Sequence, residues 1–181
     1  MKRFIKIAVL IIALVVPSLI YIFLRGFGEN KFEIPVYYTD GISIEGCTNQ
    51  DTAVQHLVEF ESYPLEGIHL FYFPKWVDDD AFFRQCSRIQ SKWPNVLFTA
   101  IADTTYLNNL GNVLLVSGDA HLLEIANCTL VLGQNHSIDS PLFNQLVLVD
   151  SEKRIRGYFT GNELKEMDRL DIELDILSRE H

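Results

Sequence analysis

The sequence predicts an α/β protein in which helices flank a central mixed sheet and a transmembrane helix precedes the domain. A charge-free apolar stretch runs from Ile7 to Leu24. A strand–helix–strand pattern follows over residues 67–102, and a strand pair with an amphipathic helix occupies residues 146–177. A chain of 181 residues suits one domain with an appendage.

The charge balance excludes one class of partner. The chain has 15 Lys and Arg against 24 Asp and Glu, for a net charge of -9. Residues 31–181 alone carry 11 basic and 23 acidic side chains, a net charge of -12. A nucleic-acid-binding domain needs a basic surface to meet phosphates, so we expect no nucleic-acid partner.

The N-terminal stretch predicts a membrane anchor. Ile7 to Leu24 is 18 residues without a charge, and about 18–20 helical residues cross the hydrocarbon core of a bilayer. Three basic residues precede it, which places the N-terminus in the cytoplasm. No A-x-A-like site follows, which favours an uncleaved anchor over a cleaved signal peptide. We therefore predict an anchor and stalk over residues 1–29, and a domain over 30–181 on the periplasmic or exterior side of the cytoplasmic (inner) membrane.

A βαβ unit opens the recognisable part of the domain. The apolar run Gly67–Phe73 predicts a buried strand, and Val96–Ala102 predicts a second one. Between them, residues 78–92 have helical spacing, with apolar positions at Phe82, Phe83, Cys86, Ile89 and Trp93. So short a connection through a helix predicts parallel strands with a right-handed crossover.

Short elements follow. Val113–Val116 is another apolar run, His121–Asn127 suggests a short helix, and Thr129–Leu132 suggests a short strand.

The chain ends in a predicted hairpin and helix. Leu146–Val149 and Ile155–Phe159 flank the polar residues 150–153, which indicates a β-hairpin. Apolar residues then recur at helical spacing on one stripe, at Leu164, Met167, Leu170, Leu174 and Leu177. A βαβ unit, a hairpin and a terminal helix, in that order, match a thioredoxin-like sandwich.

The hairpin and terminal helix also resemble one known family. Asp150, the strand Arg154-Ile155-Arg156-Gly157-Tyr158-Phe159, Gly161 and the acidic helix after it resemble the C-terminal part of SCO/SenC proteins. The segment around Ser117-Gly118-Asp119 is similar to another part of that family. These are membrane-anchored, thioredoxin-like proteins associated with copper delivery to cytochrome c oxidase. The resemblance thus implies the same fold, a periplasmic domain and a role in cytochrome oxidase assembly.

The family's chemistry needs residues that this chain lacks at the matching positions. SCO/SenC proteins use Cys-x-x-x-Cys after the first core strand and a His before the hairpin, and these donors suit copper and thiol exchange. A gapless match puts Lys75, Asp79 and Leu142 at those three positions. The resemblance therefore implies a pseudo-active site, no cofactor and, on balance, no enzyme activity.

Other residues are weaker candidates for the same region. Trp76, beside Lys75, could form an exposed partner-binding feature where the active-site loop would be. His136, six residues before Leu142, could join Cys47 as a relocated copper or redox site, and Cys47 lies in a polar stretch that favours an exposed thiol. Cys86 and Cys128 fit core positions, and a disulfide among the three cysteines with one left over is an alternative.

Three functional hypotheses remain at this stage. The first is a non-catalytic, anchored SCO-like domain that acts through contacts with another membrane or periplasmic protein. The second is a copper chaperone or thiol–disulfide oxidoreductase that uses relocated residues. The third is a generic anchored interaction module unrelated to oxidase assembly.

Overall fold

A computed structural model describes residues 2–27, 33–47, 53–61, 63–74, 80–102, 112–115, 118–135 and 145–180. The chain divides into two compact units, Met1–Glu33 and Ile34–His181.

In the first unit, the described residues 2–27 form a helix. Helix α1 spans Lys2–Phe27 and contains Pro17, and the hydroxyl of Ser18 donates to the carbonyl oxygen of Leu14 at 2.8 Å. Its described side chains, at residues 4–6 and 13–22, are exposed and mostly apolar. Among the residues described, no helix combines the length and apolar character required to cross a membrane.

The second unit is built on a mixed sheet that has five strands within the described residues. They are β1 (His69–Tyr72), β2 (Leu97–Ala102), β3 (Asn112–Leu115), β4 (Gln145–Val149) and β5 (Ile155–Thr160), in the spatial order β3-β2-β1-β4-β5. Strands β1, β2 and β3 run parallel, whereas β4 is antiparallel to both β1 and β5. Leu70 of β1 lies between Phe98 of β2 and Leu148 of β4. The βαβ unit and the hairpin predicted from the sequence are both present.

Two longer helices pack on one face of this sheet. Helix α2 spans Asp80–Lys92 and helix α5 spans Leu164–Glu180. They bury the apolar stripe of each helix, which comprises Phe82, Cys86 and Ile89 of α2 and Met167, Leu170, Leu174 and Leu177 of α5. Leu164, predicted to belong to that stripe, is 55% exposed because it lies at the first position of α5.

The opposite face is covered mainly by irregular chain. Ile42 and Val58 are buried there, and aromatic residues of the same region pack around them, namely Tyr37, Tyr38, Phe60 and Tyr63. From the sheet, Phe71, Ile101 and Val147 point into this second core. A short helix α3 (Asp119–Glu124) and a four-residue helix α4 (Leu132–Asn135) complete the cover.

The strand predicted at Thr129–Leu132 is wrong. Helix α3 continues into a five-residue π-helical turn, Ile125–Thr129, in which the amide of Leu130 donates to the carbonyl of Ile125 at 2.9 Å. Leu130, Val131 and Leu132 are fully buried all the same. A short apolar run can be buried either as a strand or as a turn, so the sequence pattern could not distinguish these two structures.

Sheet order and strand direction agree with the predicted class. A parallel β1–α2–β2 unit is joined to an antiparallel β4–β5 hairpin and a terminal helix, and β4 pairs with β1 at the centre. This topology is consistent with a thioredoxin-like α/β sandwich to which β3 adds an edge strand.

Candidate functional site

The loop that follows β1 is where the sequence places the pseudo-active site. The structure describes this loop through Phe73 and Pro74, both buried, and describes the chain again from Asp80, where α2 begins. The positions assigned to the family ligands and to the loop features lie outside the described residues: Lys75, Trp76, Asp79, His136 and Leu142. Their roles stay predictions.

Two of the three cysteines are joined. Cys47 and Cys128 form a disulfide that links positions 81 residues apart, with a Cα–Cα distance of 5.6 Å. The exposed thiol predicted for Cys47 is therefore wrong, because its sulfur is bonded and the residue is half-buried. The polar sequence around Cys47 says nothing about a partner that only the fold brings near.

The third cysteine is a buried thiol. Cys86 is 1% exposed on the sheet-facing side of α2, as its helical position predicted. Burial raises the pKa of this thiol to about 12. Because the thiolate is the nucleophile and the metal ligand, such a thiol is a poor candidate for either role.

The turn that contains Cys128 is bound by residues from other segments of the chain. We call residues 125–131 the wide turn. The Nε2–H of His56 donates to the carbonyl of Thr129 at 2.8 Å, and the hydroxyl of Tyr158 donates to the carbonyl of Leu130 at 2.9 Å. Together with the disulfide at Cys128, three consecutive residues of the wide turn are tied to other segments.

Backbone geometry marks the same turn. Val131 has a φ of 56°, a left-handed conformation that is a genuine outlier for a β-branched residue. Such strain persists where surrounding contacts fix the backbone, and the three ties to residues 128–130 provide those contacts. Sequence reasoning missed this cluster, since no local pattern marks a π-helical turn or its distant partners.

His69 is a second residue that the sequence did not single out. It is 1% exposed in β1, where its Nε2 contacts the carbonyl of Glu66 at 3.2 Å and its Nδ1 contacts the hydroxyl of Thr99 at 3.0 Å. A carbonyl only accepts, so Nε2 carries the proton and Nδ1 accepts from Thr99. Burial lowers the pKa of His69 below 6.5, only partly offset by the bond to Glu66. The ring is a neutral structural group with both nitrogens engaged.

A buried ionic cluster occupies the hairpin that carries the family resemblance. Asp150, with a fully buried side chain, accepts from the Nε of Arg154 at 2.8 Å and from the Nη1 of Arg156 at 3.0 Å. Arg156 also donates to the carbonyl of Ile34 at 2.9 Å and to Glu180 at 3.0 Å. Burial alone would raise the pKa of Asp150, but the bonds from the two arginines outweigh it and hold that pKa below 3.8.

This cluster explains the Arg-Ile-Arg pattern structurally. It closes the turn of the hairpin and ties it to Ile34, near the start of the second unit, and to Glu180, at the end of α5. These arginines therefore have a folding role. Over the described ranges, no three His, Cys, Asp or Glu side chains are grouped so that they could hold a metal ion.

Comparisons with known proteins give the following. No protein-family model matches the sequence, and no curated protein matches it. Among solved structures, it is similar to a SCO1/SenC family lipoprotein from Bacillus anthracis str. Ames, with 8% sequence identity, 62% of this chain and 82% of that chain covered, and a TM-score of 0.46. The sheet topology itself defines the class, an α/β protein with a thioredoxin-like arrangement.

Proposed function

We propose that this chain is a membrane-anchored, SCO-like thioredoxin-fold protein that acts by protein contacts in cytochrome c oxidase assembly, without copper transfer or thiol chemistry of its own. The proposal combines the thioredoxin-like topology with the SCO/SenC pattern of the hairpin and terminal helix. It assigns the protein a binding role, in which the loop after β1 presents a surface, with Lys75 and Trp76, in place of a reactive site.

The state of the cysteines carries the proposal. The chain has three: Cys47 and Cys128 are bonded to each other, and Cys86 is a buried thiol of raised pKa. Cys86 lies in the second turn of α2, packed against the sheet, which is no place for exchange with an external partner. A thiol-based copper or redox centre would have to begin from one of these three residues.

The proposed location rests on two separate observations. The apolar stretch Ile7–Leu24 and the basic residues before it suit an anchor whose N-terminus stays in the cytoplasm. A disulfide between Cys47 and Cys128 suits a domain outside the cytoplasm, because disulfides persist in oxidising compartments. Both are compatible with a domain on the periplasmic or exterior face.

A thiol count and a Cu(I) titration on the full chain in detergent test whether the protein lacks thiol and copper-transfer chemistry. We expect no fast-reacting thiol in the native protein, one per chain after unfolding, and three after unfolding with reduction. We also expect Cu(I) binding that is weak and equal in the wild type and in a Cys47→Ser, Cys128→Ser, His136→Ala triple variant, in which no unpaired partner of the disulfide remains. Tight, stoichiometric Cu(I) binding that this triple variant loses would instead establish the chaperone alternative.

Affinity capture of the tagged full chain from its own membranes tests the partner. Recovery of oxidase subunits is expected, with a marked loss in a Lys75→Ala, Trp76→Ala double variant. Arg179→Ala is a matched control, since Arg179 is an exposed residue of α5 that pairs with Asp175 on the same helix. Capture without oxidase subunits would favour an interaction module unrelated to oxidase assembly.

A further inference from the structure

The disulfide connects two segments that differ from the rest of the domain. On one side is the covering segment, residues 33–47, which has no regular secondary structure. On the other is the wide turn, in which Cys128 lies. Both cysteines are half-buried, so their bond lies near the surface.

The covering segment is attached to the sheet near its beginning. The carbonyl of Ile34 accepts from Arg156, and the amide of Tyr37 donates to the carbonyl of Ile155 at 2.9 Å. Beyond Tyr38, two backbone bonds close turns within the segment itself, from Gly41 to Tyr38 and from Cys47 to Ile44, both at 3.2 Å. Ile42 of this segment is buried in the second core. Local stability is lowest where regular structure is absent, so the disulfide at Cys47 fixes the end of a stretch without regular secondary structure.

We expect the wide turn to change conformation when its contacts with other segments are lost. Its π-helical hydrogen bonding and the left-handed Val131 are unfavourable conformations that outside ties maintain. The disulfide is the covalent one of those ties, and it lies directly next to the hydrogen bond that His56 makes to Thr129.

We propose that the Cys47–Cys128 disulfide is a redox-controlled latch: its reduction releases residues 39–47 and the wide turn from one another and uncovers the part of this sheet face that they cover. The reductant is a protein dithiol. One of its thiolates attacks the Cys47–Cys128 bond to form a mixed disulfide, and its second thiol resolves that bond. Two electrons and two protons pass to Cys47 and Cys128, which become thiols, and the dithiol becomes a disulfide. The helices α2 and α5 and the sheet face that they cover stay folded, because their core contains no residue of either released segment.

Amide hydrogen exchange on the full chain, before and after treatment with dithiothreitol, tests the latch. We expect exchange at least tenfold faster in residues 39–47 and 125–131 on reduction, with protection in α2, β1 and α5 unchanged. A Cys47→Ser, Cys128→Ser double variant should show the same fast exchange without reductant. A Cys86→Ala variant is the matched control and should respond to dithiothreitol as the wild type does.

Two results would overturn the latch. Unchanged exchange after confirmed reduction means that the other contacts alone hold the covering segment. Equal loss of protection in α2 and α5 means that the disulfide maintains the whole fold. Neither outcome bears on the oxidase role, which the capture experiment tests separately.

Discussion

Arg156 donates from Nη1 to the Oδ2 of Asp150 at 3.0 Å, with 3% and 0% of the two side chains exposed. Burial removes the hydration of both charged groups, so the pair is stable only if further hydrogen bonds compensate. Here Asp150 also accepts from the backbone amides of Glu152 and Arg154, both at 2.9 Å. The Arg-Ile-Arg pattern of the hairpin is therefore a structural requirement of the fold.

Replacing Arg156 should destabilise the fold strongly. Arg156→Met removes the bonds to Ile34 and Glu180 and leaves Asp150 with less compensation, so we expect a loss of about 3–5 kcal/mol in the free energy of unfolding. Urea denaturation followed by circular dichroism measures it. Arg88→Met is the control, because Arg88 pairs with Asp168 where both side chains are about half exposed, and its loss should stay below about 1 kcal/mol. Equal losses in the two variants would contradict the role of the buried cluster.

His69 should make stability fall at mildly acidic pH. Its pKa in the folded state lies below 6.5, the value in the unfolded chain, so below pH 6.5 the unfolded state takes up a proton that the folded state does not. Its contribution is therefore complete above that pH and is lost as the pH falls towards the folded-state pKa. The difference between the free energies of unfolding at pH 7.5 and at pH 5.5 should therefore be smaller in His69→Gln than in the wild type. His121→Gln, at an exposed position of α3, should keep the wild-type difference.

Gly157 should not tolerate a methyl group. A Cβ at this buried position of β5 would lie 2.7 Å from the ring of Phe159, which itself packs under the guanidinium of Arg169. We expect Gly157→Ala to cost about 1–3 kcal/mol through overpacking. At Gly133 the nearest atom is the side-chain oxygen of Asn127, 2.9 Å away, which can move aside. Thermal unfolding of Gly133→Ala should therefore remain close to the wild type, and a comparable loss there would refute the packing explanation.

Asp171 of α5 should contribute to the free energy of unfolding through its bonds to residues at the end of α2. It accepts from the indole Nε1 of Trp93 at 2.7 Å and from the Nζ of Lys92 at 2.6 Å. Burial tends to raise the pKa of Asp171, but these two bonds lower it below 3.8, so its contribution is present above that pH and lost below it. We expect Asp171→Ala to lose about 1–3 kcal/mol at pH 7. Asp175→Ala, whose exposed partner Arg179 lies on the same helix, should change little, and chemical denaturation compares the two.

Strands and helices with periodic apolar residues could be predicted because the pattern of each lies within a few consecutive residues. The strands around Leu70 and Phe98, the hairpin at Asp150 and the stripe of α5 followed directly from spacing, and their order predicted the sheet. The misassigned strand at Thr129–Leu132 shows the limit, since four apolar residues carry too little periodicity to distinguish a strand from a buried turn.

The candidate site was less accessible to sequence reasoning. The absence of thiols at positions 75 and 79 is visible in the sequence, whereas the pairing of Cys47 with Cys128 across 81 residues is not. A cysteine in a polar stretch has the same local pattern whether it is free or bonded.

The sequence by itself determined the apolar N-terminal stretch, the acidic domain, the α/β class and the hairpin with its terminal helix, because these depend on composition and short-range periodicity. Only the tertiary structure decided which cysteines pair, that Asp150 and Arg156 are buried against Ile34 and Glu180, and that the wide turn is held from outside. Those features depend on residues far apart in the chain, and their free energies depend on the burial and geometry that folding creates.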